Sequence, residues 1–160
     1  MNKKLIISNA TPIISLCSVG QESILKELFG NITIPKAVND ELIAVDKPGS
    51  NFSENNWVKV VDVKNRELVK SLQKDLDKGE AEVIALAKQL KADIVIIDES
   101  FGYQIAQYFN LPVLRTLSVL KAAKEKKIID KIKPIVKDMV NKGRWYSPDL
   151  IKRYLKSIGE

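Results

Sequence analysis

The chain contains no histidine and a single cysteine, Cys17. A Ser-His-Asp triad, a Cys-His pair, an imidazole general base and a Cys/His zinc site are all excluded. One cysteine also rules out an intramolecular disulfide, which suits a reducing cytosol. Long apolar runs are missing as well. Leu5-Ile6-Ile7, behind the basic Met1-Asn2-Lys3-Lys4, is too short for the apolar region of a signal peptide. No stretch nears the ~18 apolar residues of a membrane span. Neither a P-loop nor a GxGxxG loop is present, which weakens the case for a nucleotide held at a Gly-rich turn. These absences predict a cytoplasmic protein with no membrane segment. Its chemistry is left to carboxylates, hydroxyls, lysines and a hard metal ion.

What is present suits a globular chain: 160 residues, 45% hydrophobic and 29% charged. Domains of ~100–200 residues are usual, so residues 1–160 read as one domain with room for a proper core. Short apolar runs alternate with helical patterns. Leu5–Ser8 reads as a strand ending at Asn9, with Thr11 as helix N-cap and Pro12 at the first helical position. Ser23–Phe29 reads as a short helix and Asn31–Ile34 as a second strand, after which Pro35 opens a helix running to about Val45. Trp57–Val63 reads as an edge strand or extended connection, and Leu68–Leu76 as helical. Asp77-Lys78-Gly79-Glu80 resembles a capping box, and the helix it opens continues to Leu90. Ile94–Ile97 is a buried strand ending at Asp98-Glu99. Phe101, Ile105 and Tyr108 then form a helical stripe, Pro112–Leu114 a last strand, and residues 115–160 a basic helical segment. Continuous apolar strands separated by helices indicate an α/β fold with a parallel sheet covered on both faces.

Ligands of such sheets bind beyond the carboxyl ends of the strands. Asn9 and Asp98 stand at that edge, with Glu99 directly after Asp98. Either they only end strands and cap helices, or they belong to a site. Helical phase supplies a separate indication. Glu41 falls inside the stripe of Val38, Leu42 and Val45, while Asp40 points away. Glu80 lies along the stripe of Val83, Ile84, Ala87 and Leu90, while Glu82 falls off it. Carboxylates on core-facing stripes need a cation or a wet cleft. A salt bridge to a lysine would explain Glu41 locally, and a capping bond would explain Glu80. Together, Asn9, Glu41, Glu80 and Asp98 could converge at one end of the sheet. Oxygen-only ligands select Mg²⁺ or Mn²⁺, and such ions suit phosphodiester cleavage.

Four blocks carry a family resemblance: Ser8–Ile14, Ile34–Leu42, Gly79–Ala87 and Ile96–Glu99. In that order and spacing the chain resembles a PIN-like domain, in a prokaryotic subgroup described mainly as nucleic-acid-binding. It is also similar to the ribonuclease toxins of toxin–antitoxin pairs. The resemblance implies a three-layer α/β/α sandwich around a mostly parallel sheet of four to five strands. It implies a Mg²⁺ or Mn²⁺ site that cleaves single-stranded RNA, leaving a 5′-phosphate and a 3′-hydroxyl. Position by position, Asn9 takes the place of the first acid, Glu41 the second, Glu80 the third and Asp98 the fourth. Thr11 is the helping hydroxyl, and Glu99 is a further candidate ligand. Asn9 departs from the usual aspartate and removes one negative charge. The alternative is therefore a nucleic-acid-binding or antitoxin-binding module with little or no catalysis.

Charge is uneven. Residues 1–114 hold 13 basic and 15 acidic side chains, whereas residues 115–160 hold 13 and 5. The net +6 thus divides into −2 and +8. A basic segment beside an acidic site suits attraction of a phosphate backbone. Lys121, Lys124, Lys126, Lys127, Lys131 and Lys133 are either a nucleic-acid contact or a solvated face. Arg144 stands beside two rings able to stack on bases, Trp145 and Tyr146. Those rings could equally pack along the last helix or make a contact between two copies of the chain. Single-stranded RNA, an antitoxin protein and a second copy in a homodimer are the candidate partners.

Overall fold

The structure is a computed structural model that describes residues 3–44 and 47–160. Among the described residues five strands form one sheet: β1 (Ile6–Ser8), β2 (Ile32–Pro35), β3 (Val58–Val61), β4 (Ile94–Ile96) and β5 (Val113–Leu114). Their order is β3-β2-β1-β4-β5, and every pairing is parallel. Helices cover the sheet in a three-layer α/β/α arrangement. They are α1 (Ala10–Ser18), α2 (Ser23–Phe29), α3 (Lys36–Leu42), α4 (Arg66–Leu72) and α5 (Lys78–Leu90), then α6 (Ser100–Tyr108), α7 (Thr116–Glu125), α8 (Lys133–Asn141) and α9 (Pro148–Ser157).

The isoleucine-rich strands explain the layering. Ile6, Ile7, Ile32, Ile34, Val95 and Ile96 are all buried, so both faces of the central strands need cover. Ile13 and Leu16 of α1 and Val83, Ile84 and Leu86 of α5 contribute to the same core. Each such side chain contributes about 1.5–3 kcal/mol on burial. Trp57 ends the approach to β3 by packing edge-on against Phe52, with ring centroids 5.3 Å apart.

Topology positions the site. From β1 the chain moves one way to β2 and β3, then returns past β1 to β4 and β5. The crevice between β1 and β4 is therefore the switch point of the sheet, where ligands of open α/β folds bind. Asn9 continues the ladder there, donating its N–H to Ile96 O at 2.9 Å.

Several local expectations are corrected. Helix α1 begins at Ala10, so Asn9 and not Thr11 holds the cap position, and Asn9 makes no side-chain capping bond. Helix α3 ends at Leu42, and Val45 lies outside the described residues. Glu82 does not fall off a buried stripe: it is 2% exposed, because α5 is covered on every side along Gly79–Ala87. Its carboxylate accepts the Ala37 N–H at the start of α3 and pairs with Arg66, each at 2.9 Å. Leu90, by contrast, is 37% exposed at the end of that helix. Helix α6 does not bury Phe101 and Tyr108, both of which are exposed. It buries the small residues Gly102 and Ala106 instead, which lets its backbone approach the core closely.

Candidate functional site

The first residues of several helices meet at the carboxyl edge of the sheet. Asn9 precedes α1, Glu99 holds the cap position of α6, and Asp77 caps α5 by accepting the Glu80 N–H at 2.8 Å. Asn9 is 3% exposed. Its Nδ2 donates to Glu99 Oε2 at 3.2 Å, and the Thr11 hydroxyl donates to Glu99 Oε1 at 2.5 Å. Its carbonyl Oδ1, although buried, has no hydrogen-bond partner among the described residues.

Gly79 shows what surrounds that orphan oxygen. A Cβ at Gly79 would stand 3.3 Å from Glu41 Oε2, 3.4 Å from Asn9 Oδ1 and 3.5 Å from Asp77 Oδ1. Three oxygen donors thus surround a position kept clear by glycine. Gly102 plays a similar part for Glu80, whose Oε2 would lie 2.5 Å from a Cβ there. Glycine on α6 makes room for a carboxylate from α5.

Electrostatics reflect this crowding. Burial, reinforced by Asp77 and Glu99, pushes the Glu80 carboxyl up to about 8. Burial also raises Glu41; Lys47 opposes this from 3.7 Å, while Asp77 and Glu99 add to it. Both shifts follow from packing acids together away from water. The Cys17 thiol, pushed up to about 12 by burial and then by Glu22, has no thiolate to offer chemistry here.

Asp98 turns elsewhere. Its Oδ1 accepts the Thr116 N–H, and its Oδ2 accepts the Thr116 hydroxyl, both at 2.7 Å. Arg144 Nη2 adds a charge-assisted bond to Oδ2 at 3.1 Å. The acid that ends β4 is therefore compensated from within the fold, while its neighbour Glu99 faces Asn9.

Among the predicted residues, the structure brings Asn9, Thr11, Glu41, Glu80, Asp98 and Glu99 to one edge, together with Arg144. The lysines are elsewhere. Helix α7 starts at the site with Thr116 and runs away from it, which carries its far end roughly 15 Å off at 1.5 Å per residue. Lys121, Lys126 and Lys127 are exposed along and beyond that helix. Lys124 is not free for a phosphate: it donates to Glu160 Oε2 at 2.8 Å and to Ile158 O at 3.1 Å. Asp77, a member of the oxygen cluster, and Thr116, which holds Asp98, were not among the residues expected from the sequence. Gly79, a poor helix former in the first turn of α5, was the available signal for a close approach.

The oxygen-only donors and the unpartnered Asn9 Oδ1 fit a hard divalent cation. Among the described residues, no three His, Cys, Asp or Glu side chains form a metal cage by themselves. A cation there would rely on the Asn9 carbonyl beside Glu41 and Asp77. Nor is any helix among the described residues long and apolar enough to cross a membrane.

A parallel α/β sheet with a carboxylate-lined crevice at its switch point fits a nuclease-like or nucleic-acid-binding class of domain. A family model described as PIN domain matches residues 5–160, and the chain belongs to the PIN-domain family. No curated protein matches the chain.

Proposed function

We propose that the chain is a metal-dependent endoribonuclease-like protein acting on single-stranded RNA. The observation that carries this reading is the buried, unpartnered Asn9 Oδ1 facing Glu41 and Asp77 across Gly79. Asn9, Glu41 and Asp77 would hold Mg²⁺ or Mn²⁺, with Glu80 and Glu99 adjoining. When bound, the cation supplies activation of water and relief of charge on the attacked phosphate.

The residues of the chain set the conditions for that chemistry. Glu80, raised to about 8, holds a proton on its carboxylate near neutral pH and can release it as a cation approaches. The Thr11 hydroxyl fixes Glu99 beside Asn9, and Arg144 fixes Asp98 at the end of β4. A lone reduced cysteine is consistent with a cytoplasmic setting.

A second reading keeps the nucleic acid or an antitoxin protein as partner but not the cutting. It is favoured by the neutral side chain of Asn9 and by the Arg144–Asp98 pair, which already compensates one acid. As the toxin of a toxin–antitoxin pair, or as a homodimer, the chain would present the same edge to its partner.

Incubating the protein with single-stranded RNA and Mn²⁺ or Mg²⁺, beside Glu41→Gln, tests the first reading. Cleavage by the unmodified protein alone, with 5′-phosphate ends, supports it. Equal cleavage by both proteins would overturn the assignment of Glu41 to the cation, and none by either across several RNAs favours the binding module.

A further inference from the structure

A cleft of about 400 Å³ adjoins the acidic edge, within the ~300–1,000 Å³ range of ligand sites. Asp98 and Glu99 form the end it shares with that edge. Arg115, Arg144, Trp145 and Leu150 form much of the remainder. Most of the wall thus comes from residues 115–160, the part of the chain carrying +8.

The cleft is furnished for a flat, anionic ligand. Trp145 is 76% exposed, an unusual state for so large a ring. Arg115 is exposed and has no carboxylate partner among the described residues; its guanidinium lies 4.3 Å from the Tyr103 ring centre. Glu99 is bonded to Asn9 and Thr11, and Arg144 compensates Asp98, so the Arg115 charge is left over. Arg144 and Tyr146 share this wall, the Arg144 guanidinium lying 4.7 Å from the Tyr146 ring centre. A protein-docking core would instead be depleted of charge.

We propose that this cleft is a docking subsite for single-stranded nucleic acid, in which a base stacks on Trp145 and a phosphate meets Arg115. The strand then enters the acidic edge beside Trp145 and not along the lysines beyond α7. The proposal rests on the nucleic-acid reading of that edge, but it requires neither metal nor cleavage.

Tryptophan emission tests it in EDTA, so that cutting does not enter. Trp57 is 9% exposed and packed on Phe52, so quenching by an added oligonucleotide reports on Trp145. The probes are a short oligouridylate and the matching oligothymidylate, with binding followed in parallel by anisotropy of a labelled strand. The expected result is quenching at saturation by at least one of the two strands. Trp145→Leu should then bind that strand roughly tenfold or more weakly. Arg115→Gln should lower the slope of log affinity against log salt by about 0.7. Both side chains are exposed, so both variants should keep the unmodified circular dichroism and melting curve.

Wild-type affinity in Trp145→Leu, with no quenching in the parent, would overturn the subsite while leaving nucleic-acid binding intact. Absence of binding to the unmodified protein at low salt in EDTA would overturn the subsite, and absence again with Mg²⁺ or Mn²⁺ added would overturn both readings. A change of Trp145 emission with protein concentration alone, accompanied by sedimentation as a dimer, would assign the cleft to self-association and overturn the proposal.

Discussion

Arg144 Nη2 lies 3.1 Å from Asp98 Oδ2 and joins a residue between α8 and α9 to the end of β4. The carboxylate is 5% exposed and takes two further bonds from Thr116. A buried acid at a sheet edge is tolerated only with such compensation. Here the compensation comes from 46 residues further along the chain. The consequence is a divided site: Asp98 faces an internal cation, and the remaining oxygens face one another.

Arg144→Gln should therefore destabilise the fold by about 1.5–3 kcal/mol, the range for hydrogen bonds to charged groups. Mn²⁺ should restore more stability to this variant than to the parent, because the freed Asp98 charge then has a cation to meet. Urea denaturation with and without Mn²⁺ measures both effects. An unchanged midpoint would mean that Thr116 alone holds Asp98.

Glu80 gives a pH signature. Its pKa is raised from the ordinary ~4.3 of an unfolded glutamate to about 8 in the fold. Between those values the unfolded chain has released a proton that the folded chain keeps. This contribution to stability is thus full below ~4.3, declines as pH rises, and is gone above about 8. Glu80→Gln should flatten that decline and leave the protein relatively more stable at pH 9. Thermal melting across pH 5–9 is the check; parallel curves for parent and variant would contradict it.

Glu160 has the opposite sign. Burial would raise its carboxyl, but Lys124 and the N–H groups of Ile132 and Lys133 outweigh that and hold it at about 2. Its contribution is therefore present above ~4.3 and lost as pH falls toward about 2. Glu160→Gln should lower the melting temperature at pH 6 by about 2–4 °C, the scale of a 1 kcal/mol loss in a domain of this size. The difference from the parent should vanish near pH 2. A constant difference across that range would place the effect in packing and not in charge.

The parts of this molecule legible in sequence are those fixed locally. Apolar runs ending in Asn9 and Asp98 marked the strands and their carboxyl edge, and Asp77 with Glu80 marked the start of α5. Helical phase set Glu41 apart from Asp40, but not its partly exposed setting 3.7 Å from Lys47. The departures arise from tertiary partners. Glu82 looks solvent-facing on a helical wheel, yet Arg66 and the start of α3 cover it. In α6, phase arithmetic favoured Phe101 and Tyr108 over Gly102, but the carboxylate of Glu80 needs the space that only glycine leaves. The Asp98–Arg144 pair joins two segments with no local pattern in common. Lys124, read as part of a basic run, is held by Glu160 instead.

Whether the Asn9 edge receives a divalent cation, with an amide in place of one acid, decides between the two proposed functions. The most direct test is titration with Mn²⁺ followed by the electron paramagnetic signal of the free ion. The parent protein should withdraw Mn²⁺ from solution and Glu41→Gln should withdraw less. Asn9→Asp should bind roughly tenfold tighter, since ligand charge count tunes such oxygen sites. A free-ion signal equal to that of buffer with both the parent and Asn9→Asp would overturn the proposed metal site.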